Sequence, residues 1–356
     1  MKVLYLTHHG PWPSRSGGGK RDACLLEAIA PRVDLHLWAV TRTIAEDREA
    51  FCPLNINDYR LFPDTSEVSL APSRYSADML KALEHAMRGP RPFDVIHVEG
   101  GYLASILPSK FLRRTCVVEH NIESDVFAQR CVVEGWDAER LFLLRKLRSQ
   151  EELVWRQAAA IIVLSNEDRS RVISRHPGVR IKVIPNGVDR IFPEYKRTVR
   201  ETLNTIGYLG NFHYAPSLDG AACLLDLVFP KAIKSIQNLA MLIAGNGSET
   251  MIDKFQLPAK CHVMGWLDDP EEFWDAIDLF VCPLRSGGGM KVKIGEALVR
   301  GIPVLGTALA GEGYMDMLGA RDILKISTVE NMGQDIVDLH FQRDVFQEWQ
   351  RMGQKN

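Results

Sequence analysis

Apolar runs of four to six residues recur along the chain, separated by longer stretches whose apolar residues fall at helical spacing. That alternation constrains the fold more than any other feature, because parallel strands need a crossover, usually a helix, between each pair. In the first half, residues 3–7, 35–40, 95–99, 115–119 and 161–164 read as strands. The pattern restarts at 205–209 and repeats at 240–244, 262–265, 279–283, 303–306 and 323–326. This predicts an α/β chain with two parallel sheets, each covered by helices and each binding ligands outside the carboxyl ends of its strands. Pro185-Asn186-Gly187-Val188-Asp189 and the charged stretch 194–201 mark the linker, giving domains over 1–188 and 189–334.

Composition narrows the partners. At 356 residues, 46% hydrophobic and 25% charged, the chain is long enough for two cores. A net charge of -2 supplies no long-range pull toward nucleic acid, so any polyanion must be held locally. The seven cysteines are scattered, odd in number and without a Cys-x-x-Cys pair, which points to reduced thiols and a cytoplasmic setting. Residues 1–7 read as a strand and not as a secretory signal, and no apolar stretch approaches membrane-spanning length.

Residues 283–307 carry the chemistry. Gly287-Gly288-Gly289 reads as a tight turn after a buried strand, 290–300 as a helix, and Gly301-Ile302-Pro303 as its stop. Lys291 and Lys293 then fall in the first turns, where cations oppose the helix dipole unless an anion joins them. Gly289, Lys293, Glu296 and Arg300 share one stripe at steps of four, three and four. The stripe suits a nucleotide sugar: backbone N–H groups and Lys293 for the diphosphate, and the acceptor-only Glu296 for ribose hydroxyls. A solvated helix face is the alternative for the charged residues; the glycine triplet and abrupt stop argue against it.

This segment resembles the donor-site motif of the retaining glycosyltransferases of family 4, in its Gly-Gly-Gly-x-Lys-x-Lys-x-x-Glu variant. Gly17-Gly18-Gly19, Val118-Glu119-His120-Asn121, Val183-Ile184-Pro185-Asn186-Gly187, Gly207-Tyr208-Leu209-Gly210, Gly265-Trp266-Leu267 and Ala310-Gly311-Glu312-Gly313 extend the likeness over most of the chain. The resemblance implies a GT-B fold, two facing Rossmann-like domains with a cleft between them, the C-terminal helix at about 335–356 packing back on the first. It implies transfer of a sugar from a UDP- or GDP-sugar to an acceptor hydroxyl with retention of configuration, in polysaccharide, glycolipid or natural-product biosynthesis. Donor contacts would come from Gly18, Gly19, Gly288, Gly289, Lys293, Glu296, Trp266 and Leu267, with His120 and Lys293 as the catalytic pair. In family 4 enzymes the histidine matching His120 contacts a donor-sugar hydroxyl and helps place the acceptor.

The residues themselves fit around that expectation. The loop 8–20 is too rich in proline and glycine for regular structure, and its glycine triplet, before a helix over 19–30, suits a phosphate or a plain turn. A dinucleotide site would need an acid at the end of the next strand, which instead ends Ala39-Val40-Thr41. His120 stands at a strand's carboxyl end; a lone histidine is as readily structural, and Asn121, Glu123 and Glu99 are candidates to orient it or an acceptor. No His–Cys metal spacing and no Asp-x-Asp triplet appears, so neither a cofactor nor a metal is required. Lys293, with Arg285 or Lys291, would then meet the leaving group's charge.

Two departures stand out. The family's usual glutamate eight residues before Glu296 is Gly288 here, and the Arg and Lys common after the first strand of the second domain are absent from Gly210-Asn211-Phe212-His213-Tyr214. His213 and Asn211 are the polar residues left there. A non-catalytic nucleotide-sugar-binding partner, or an isomerase or phosphorylase on the same fold, are the alternatives. Residues 139–157, rich in Leu, Arg and Lys, admit a membrane-surface reading. The interspersed Glu139, Glu151 and Glu152, with Leu141, Leu144, Leu147 and Val154 as packing positions, favour a packed helix, so peripheral membrane contact is not indicated.

Overall fold

The structure, a computed structural model, describes residues 1–12, 17–49, 54, 56, 58–67, 69–187, 198–317 and 320–353. Residues 13–16 of the glycine loop, Val188 and Asp189 of the expected linker and the start of its charged stretch lie outside them. The chain forms two compact units, Met1–Asn186 and Gly187–Asn356.

The first unit holds a parallel sheet of β1 (Lys2–Thr7), β2 (Asp34–Thr41), β3 (Asp58–Pro63), β4 (Val95–Glu99), β5 (Thr115–Glu119), β6 (Ala160–Val163) and β7 (Ile181–Val183), in the order β3-β2-β1-β4-β5-β6-β7. The second holds β8 (Thr205–Leu209), β9 (Ala240–Ala244), β10 (Cys261–Gly265), β11 (Leu279–Cys282), β12 (Val304–Gly306) and β13 (Leu324–Ile326), in the order β10-β9-β8-β11-β12-β13. Both are Rossmann-like sheets in which the strand order reverses once, between β1 and β4 and between β8 and β11. The central strands are continuous apolar runs because helices cover both faces. Leu4, Leu6, Trp38, Val98, Val117 and Trp155 are among the buried residues of the first core.

Two strands go beyond the sequence reading, β3 and β7, and both are edges. β3 carries Asp58 and Arg60, and β7 has three residues, none fully buried; a strand with one solvated face lacks the continuous apolar run. The C-terminal helix expected at about 335–356 is, over the described residues, two helices, Val329–Phe341 and Arg343–Gly353, broken at Gln342. The last helix is tied to neighbouring parts of the second unit. Gln350 exchanges two hydrogen bonds with the Arg200 backbone (2.9 and 3.0 Å), and Gly353 sits so close to Gly301 that a Cβ would fall 2.7 Å from its carbonyl oxygen.

An aspartate stands at the amino end of each reversal. Asp94 accepts from the Lys2 N–H (2.8 Å) while its own N–H donates to Lys2 O (2.9 Å), tying the start of β4 to the start of β1. Asp278 does the same between β11 and β8: its carboxylate accepts from the Asn204 and Thr205 N–H groups at 2.8 Å each, and its N–H donates to Thr205 O at 2.8 Å. Asp94 is exposed, whereas Asp278 is buried and also faces Arg200 at 3.2 Å. Removing a buried carboxylate orphans its donors. Asp278→Ala is therefore expected to cost about 3 kcal/mol and Asp94→Ala about 1 kcal/mol, read as shifts in urea midpoint at constant slope; equal costs would show that burial does not set the strength of the clamp.

Candidate active site

In the second unit the chemistry gathers at the carboxyl ends of β8 and β11, the reversal point of its sheet. The strand-to-helix connection after β11 turns through Gly287 (φ 126°) and Gly289 (φ 59°), left-handed conformations that favour glycine. The helix that follows, Val292–Val299, begins two residues later than expected, with Lys291 as its cap. Lys291 is buried and folds back to donate to Gly289 O at 2.8 Å, with Glu312 3.9 Å away. It braces the turn instead of standing in the first helical turn.

Lys293 does stand in that turn. Its Nζ lies 4.4 Å from the centre of the Tyr208 ring and 3.4 Å from the Tyr208 hydroxyl, at the end of β8. Burial lowers its pKa below the usual lysine value, and among the described residues no carboxylate lies within 4 Å of it. Glu296 follows one turn on. The expected stripe ends there, since Arg300 is buried against Trp274, donates to Glu271 (Nε–Oε2 3.0 Å) and to Glu296 O (2.8 Å), and so braces the helix. Arg285 is likewise paired, with Asp219 (3.0 Å).

Around Lys293 the backbone is bare. At Gly245 (φ 117°) a Cβ would fall 2.0 Å from Gly210 O, and at Gly247 one would fall 2.9 Å from His213 Nε2, so the ends of β8 and β9 are drawn together at glycines. Trp266 and Leu267 follow the edge strand β10; Trp266 is exposed and its indole donates to Asp268 (3.1 Å). Gly288 lies in the turn between the two left-handed glycines.

In the first unit a second group stands at the reversal between β1 and β4. His120, just after β5, contacts Glu99 at the end of β4 (Nε2–Oε2 2.6 Å), and Glu99 also takes His97 (2.7 Å) and the Tyr5 hydroxyl (2.7 Å). Burial pushes Glu99 upward, but the hydrogen bonds and charges of His120 and His97 outweigh it and hold the carboxylate well below its usual range. Burial likewise opposes charge on His120, and Glu99 outweighs it, raising the imidazole above its ordinary value. Asp22, from the helix Gly17–Ile29, accepts from Thr7 (2.7 Å) and Tyr5 (3.1 Å) and faces His9 (3.2 Å). Asn121 donates to Glu123 (3.1 Å), so Glu99 is the carboxylate against His120. Gly18 and Gly19 lie in the first turn of the Gly17–Ile29 helix, which starts two residues earlier than expected.

Asp22, Glu99 and His120 each bring one ligand atom within 4.8 Å of the others, the one such group among the described residues. The 2.6 Å contact of His120 with Glu99 is closer than the roughly 3 Å between two ligands of one ion with ~2.1 Å bonds. Those two atoms fit a shared proton.

Behind His120 lies a buried acidic cluster. Glu119 accepts from the Trp155 indole (2.7 Å) and the Gly101 N–H (3.1 Å), and Gly101 lets the carboxylate approach, since a Cβ there would fall 2.4 Å from it. Glu151 accepts from the Ser124 N–H (2.8 Å) and hydroxyl (2.5 Å), with Arg175 at 3.4 Å. Burial, then the charge of Glu151, pushes Glu119 up to about 8; burial pushes Glu151 up to about 7.

Residues 23–191 match the family model described as Glycosyltransferase Family 4, and residues 204–339 the one described as Glycosyl transferases group 1. No curated protein matches by sequence. Among solved structures, WaaG, a glycosyltransferase involved in lipopolysaccharide biosynthesis, aligns with a TM-score of 0.67 at 15% identity, over 99% of this chain and 94% of its own. Sucrose-phosphate synthase from Thermosynechococcus elongatus aligns at 0.66 and 16%, over 100% and 94%. HepE of Anabaena, solved in complex with UDP and glucose, aligns at 0.64 and 17%, again over 100% and 94%. The fold is therefore GT-B, and the molecule is a transferase. With one family model on each unit, the chain belongs to the family 4 (group 1) glycosyltransferases.

The acidic cluster sets a pH dependence. An unfolded glutamate titrates near 4.5, so between there and about 8 the folded chain holds protons that the unfolded chain has released. That stabilisation is complete below pH 4.5 and is lost as pH rises through 7 and 8. Thermal unfolding is expected to show a stability loss on the order of 7 kcal/mol from pH 5 to 8.5, which Glu151→Gln reduces, its amide oxygen still accepting from the Ser124 N–H while its NH2 group donates to the Ser124 hydroxyl. A wild-type Tm unchanged across that range would contradict it.

Proposed function

We propose that the protein moves a sugar from a UDP- or GDP-sugar to an acceptor hydroxyl with retention of configuration, in the cytoplasm and without a metal. The observation that carries the reading is the Lys293 ammonium. It stands in the first turn of a helix, half-buried over Tyr208 with no carboxylate beside it among the described residues, where the field favours an anion. A diphosphate is the anion that fits a cation and glycine backbone at a sheet's reversal point. HepE, solved with UDP and glucose, supports the same class of donor, and the glycan-biosynthetic neighbour WaaG supports a glycan or glycolipid acceptor.

Each residue then has a role. Lys293 binds the diphosphate and gains strength as charge grows on the leaving group. Glu296, three residues on, accepts from the ribose hydroxyls. His120, held by Glu99, contacts a sugar hydroxyl. With Gly288 where relatives carry a glutamate, that position offers no carboxylate to attack the anomeric carbon. Departure and attack therefore occur on one face through a short-lived oxocarbenium-like species, the leaving phosphate taking the acceptor's proton.

Glu296→Gln is expected to weaken both nucleotide and nucleotide sugar by about 1.5–3 kcal/mol. Lys293→Met should lower kcat more than affinity, by roughly tenfold or more. Calorimetry showing unchanged nucleotide affinity in both folded variants would remove the donor-site assignment.

Excess EDTA should leave the rate within about twofold, since protein groups meet the leaving-group charge. Intact-mass spectra with donor alone should show no sugar adduct. Activity restored only by magnesium or manganese, or a stable adduct on a carboxylate, contradicts the metal-free, same-face route.

A further inference from the structure

Lys293 and Glu296 account for the diphosphate and the ribose, and the sugar beyond them needs acceptors for its own hydroxyls. Gly288, in the middle of the turn after β11, has no side chain to offer. A carboxylate does reach that turn, from the connection after β12.

That connection is bolted to the donor loop at both ends. Thr307 accepts from the Ala310 N–H (3.1 Å), opening the short helix Ala308–Gly311, and its hydroxyl donates to Leu284 O (2.7 Å), just after β11. Gly313 reverses the chain in a left-handed conformation (φ 81°), and the Tyr314 hydroxyl then donates to Lys291 O (3.0 Å). Tyr314 is buried against the helix Val292–Val299, where a Cβ at Gly295 would fall 2.9 Å from its hydroxyl. Glu312 stands between those two ties. Its side chain keeps 13% exposure, and its Oε2 lies 3.9 Å from the Lys291 Nζ that donates to Gly289 O at 2.8 Å. One ammonium therefore links the carboxylate to the turn. At 3.9 Å the contact is beyond hydrogen-bond range, so Lys291 steers Glu312 without donating to it.

Other acids of this seam are engaged elsewhere. Asp219 takes Arg285 (3.0 Å), and Glu271 takes Arg300 (3.0 Å). An ionised carboxylate only accepts, and its two oxygens match two adjacent hydroxyls of a sugar ring. We propose that Glu312 binds hydroxyls of the donor's sugar, supplying from the connection after β12 the carboxylate that position 288 lacks. The inference rests on the donor-site reading above. Accepting from ring hydroxyls, Glu312 orients the sugar and takes no part in attack at the anomeric carbon.

Calorimetry on the full chain tests it, with UDP and GDP as nucleotides and UDP-glucose, UDP-galactose, UDP-N-acetylglucosamine and GDP-mannose as nucleotide sugars. For the nucleotide sugar that the wild type binds best, Glu312→Gln should lower affinity about tenfold while leaving the matching nucleotide within about twofold. Gly288, unlike Gly287 and Gly289, is not left-handed, so its backbone accepts a side chain. Gly288→Glu added to Glu312→Ala should therefore recover part of the lost affinity, on the order of threefold, which a carboxylate that only braced Lys291 would not allow. An equal loss for nucleotide and nucleotide sugar without that recovery makes Glu312 a brace and overturns the proposal, as does no loss for either. A wild type that binds none of the six ligands removes the donor-site reading itself, a different result from either of these.

Discussion

The backbone ladder at each strand reversal, β1 with β4 and β8 with β11, is the contact on which the rest of each unit hangs. A parallel sheet grows outward from its first strand, and where the order reverses, two strands lie side by side whose following chains depart to opposite faces of the sheet. Nothing in the crossover geometry holds those two strands together. The ladders between the strands supply that tie, and Asp94 with Lys2 and Asp278 with Thr205 reinforce it at the amino end. The carboxyl end of the same seam is then free for function. Glu99 and Tyr5 occupy it in the first unit, and Lys293 with Tyr208 in the second.

The two seams are filled with opposite chemistry. In the first unit, carboxylates and imidazoles neutralise each other through short contacts, and Glu99 is held ionised by two histidines. Such a network fixes the orientation of His120 at the expense of burying charge that must stay paired. The second seam holds a cation beside an aromatic face and bare glycine backbone, with no described carboxylate to quench it. One group is complete in itself, and the other gains most when an anion arrives.

Much of this was legible in the sequence, for a physical reason. Strands buried on both faces must be continuous apolar runs, so all eleven expected strands appear, four of them with the same bounds. Edge strands carry no such signature, and β3 and β7 escaped. Lys293 and Glu296 were readable because the glycine triplet and the Gly-Ile-Pro stop fix the helix to within two residues. Arg300 was assigned to the ligand face by periodicity and Lys291 to the leaving group by its place in the first turns, and neither argument registers a side chain folding back to Gly289 or reaching Glu271. Asp22, Tyr5 and His97 went unread because their importance lies in pairings across strands β1 and β4. An aspartate at helical spacing with Gly19, Ala23 and Leu26, an acid on the buried face of its helix, was the one available signal.

The same seams make each unit's assembly an all-or-none event along the growing chain. Lys2 meets Asp94 across 92 residues, and Thr205 meets Asp278 across 73. Until the later strand has emerged, the earlier one has an unmatched side, and no local hairpin substitutes for it. During synthesis, Tyr5 therefore waits for Glu99, 94 residues on, and Tyr208 for Lys293, 85 residues on. The binding residues come together only when the last central strand inserts. A truncated or stalled chain would carry the apolar strands of a glycosyltransferase and none of its ligand affinity, which leaves chaperones and proteases a long window in which to tell finished molecules from unfinished ones.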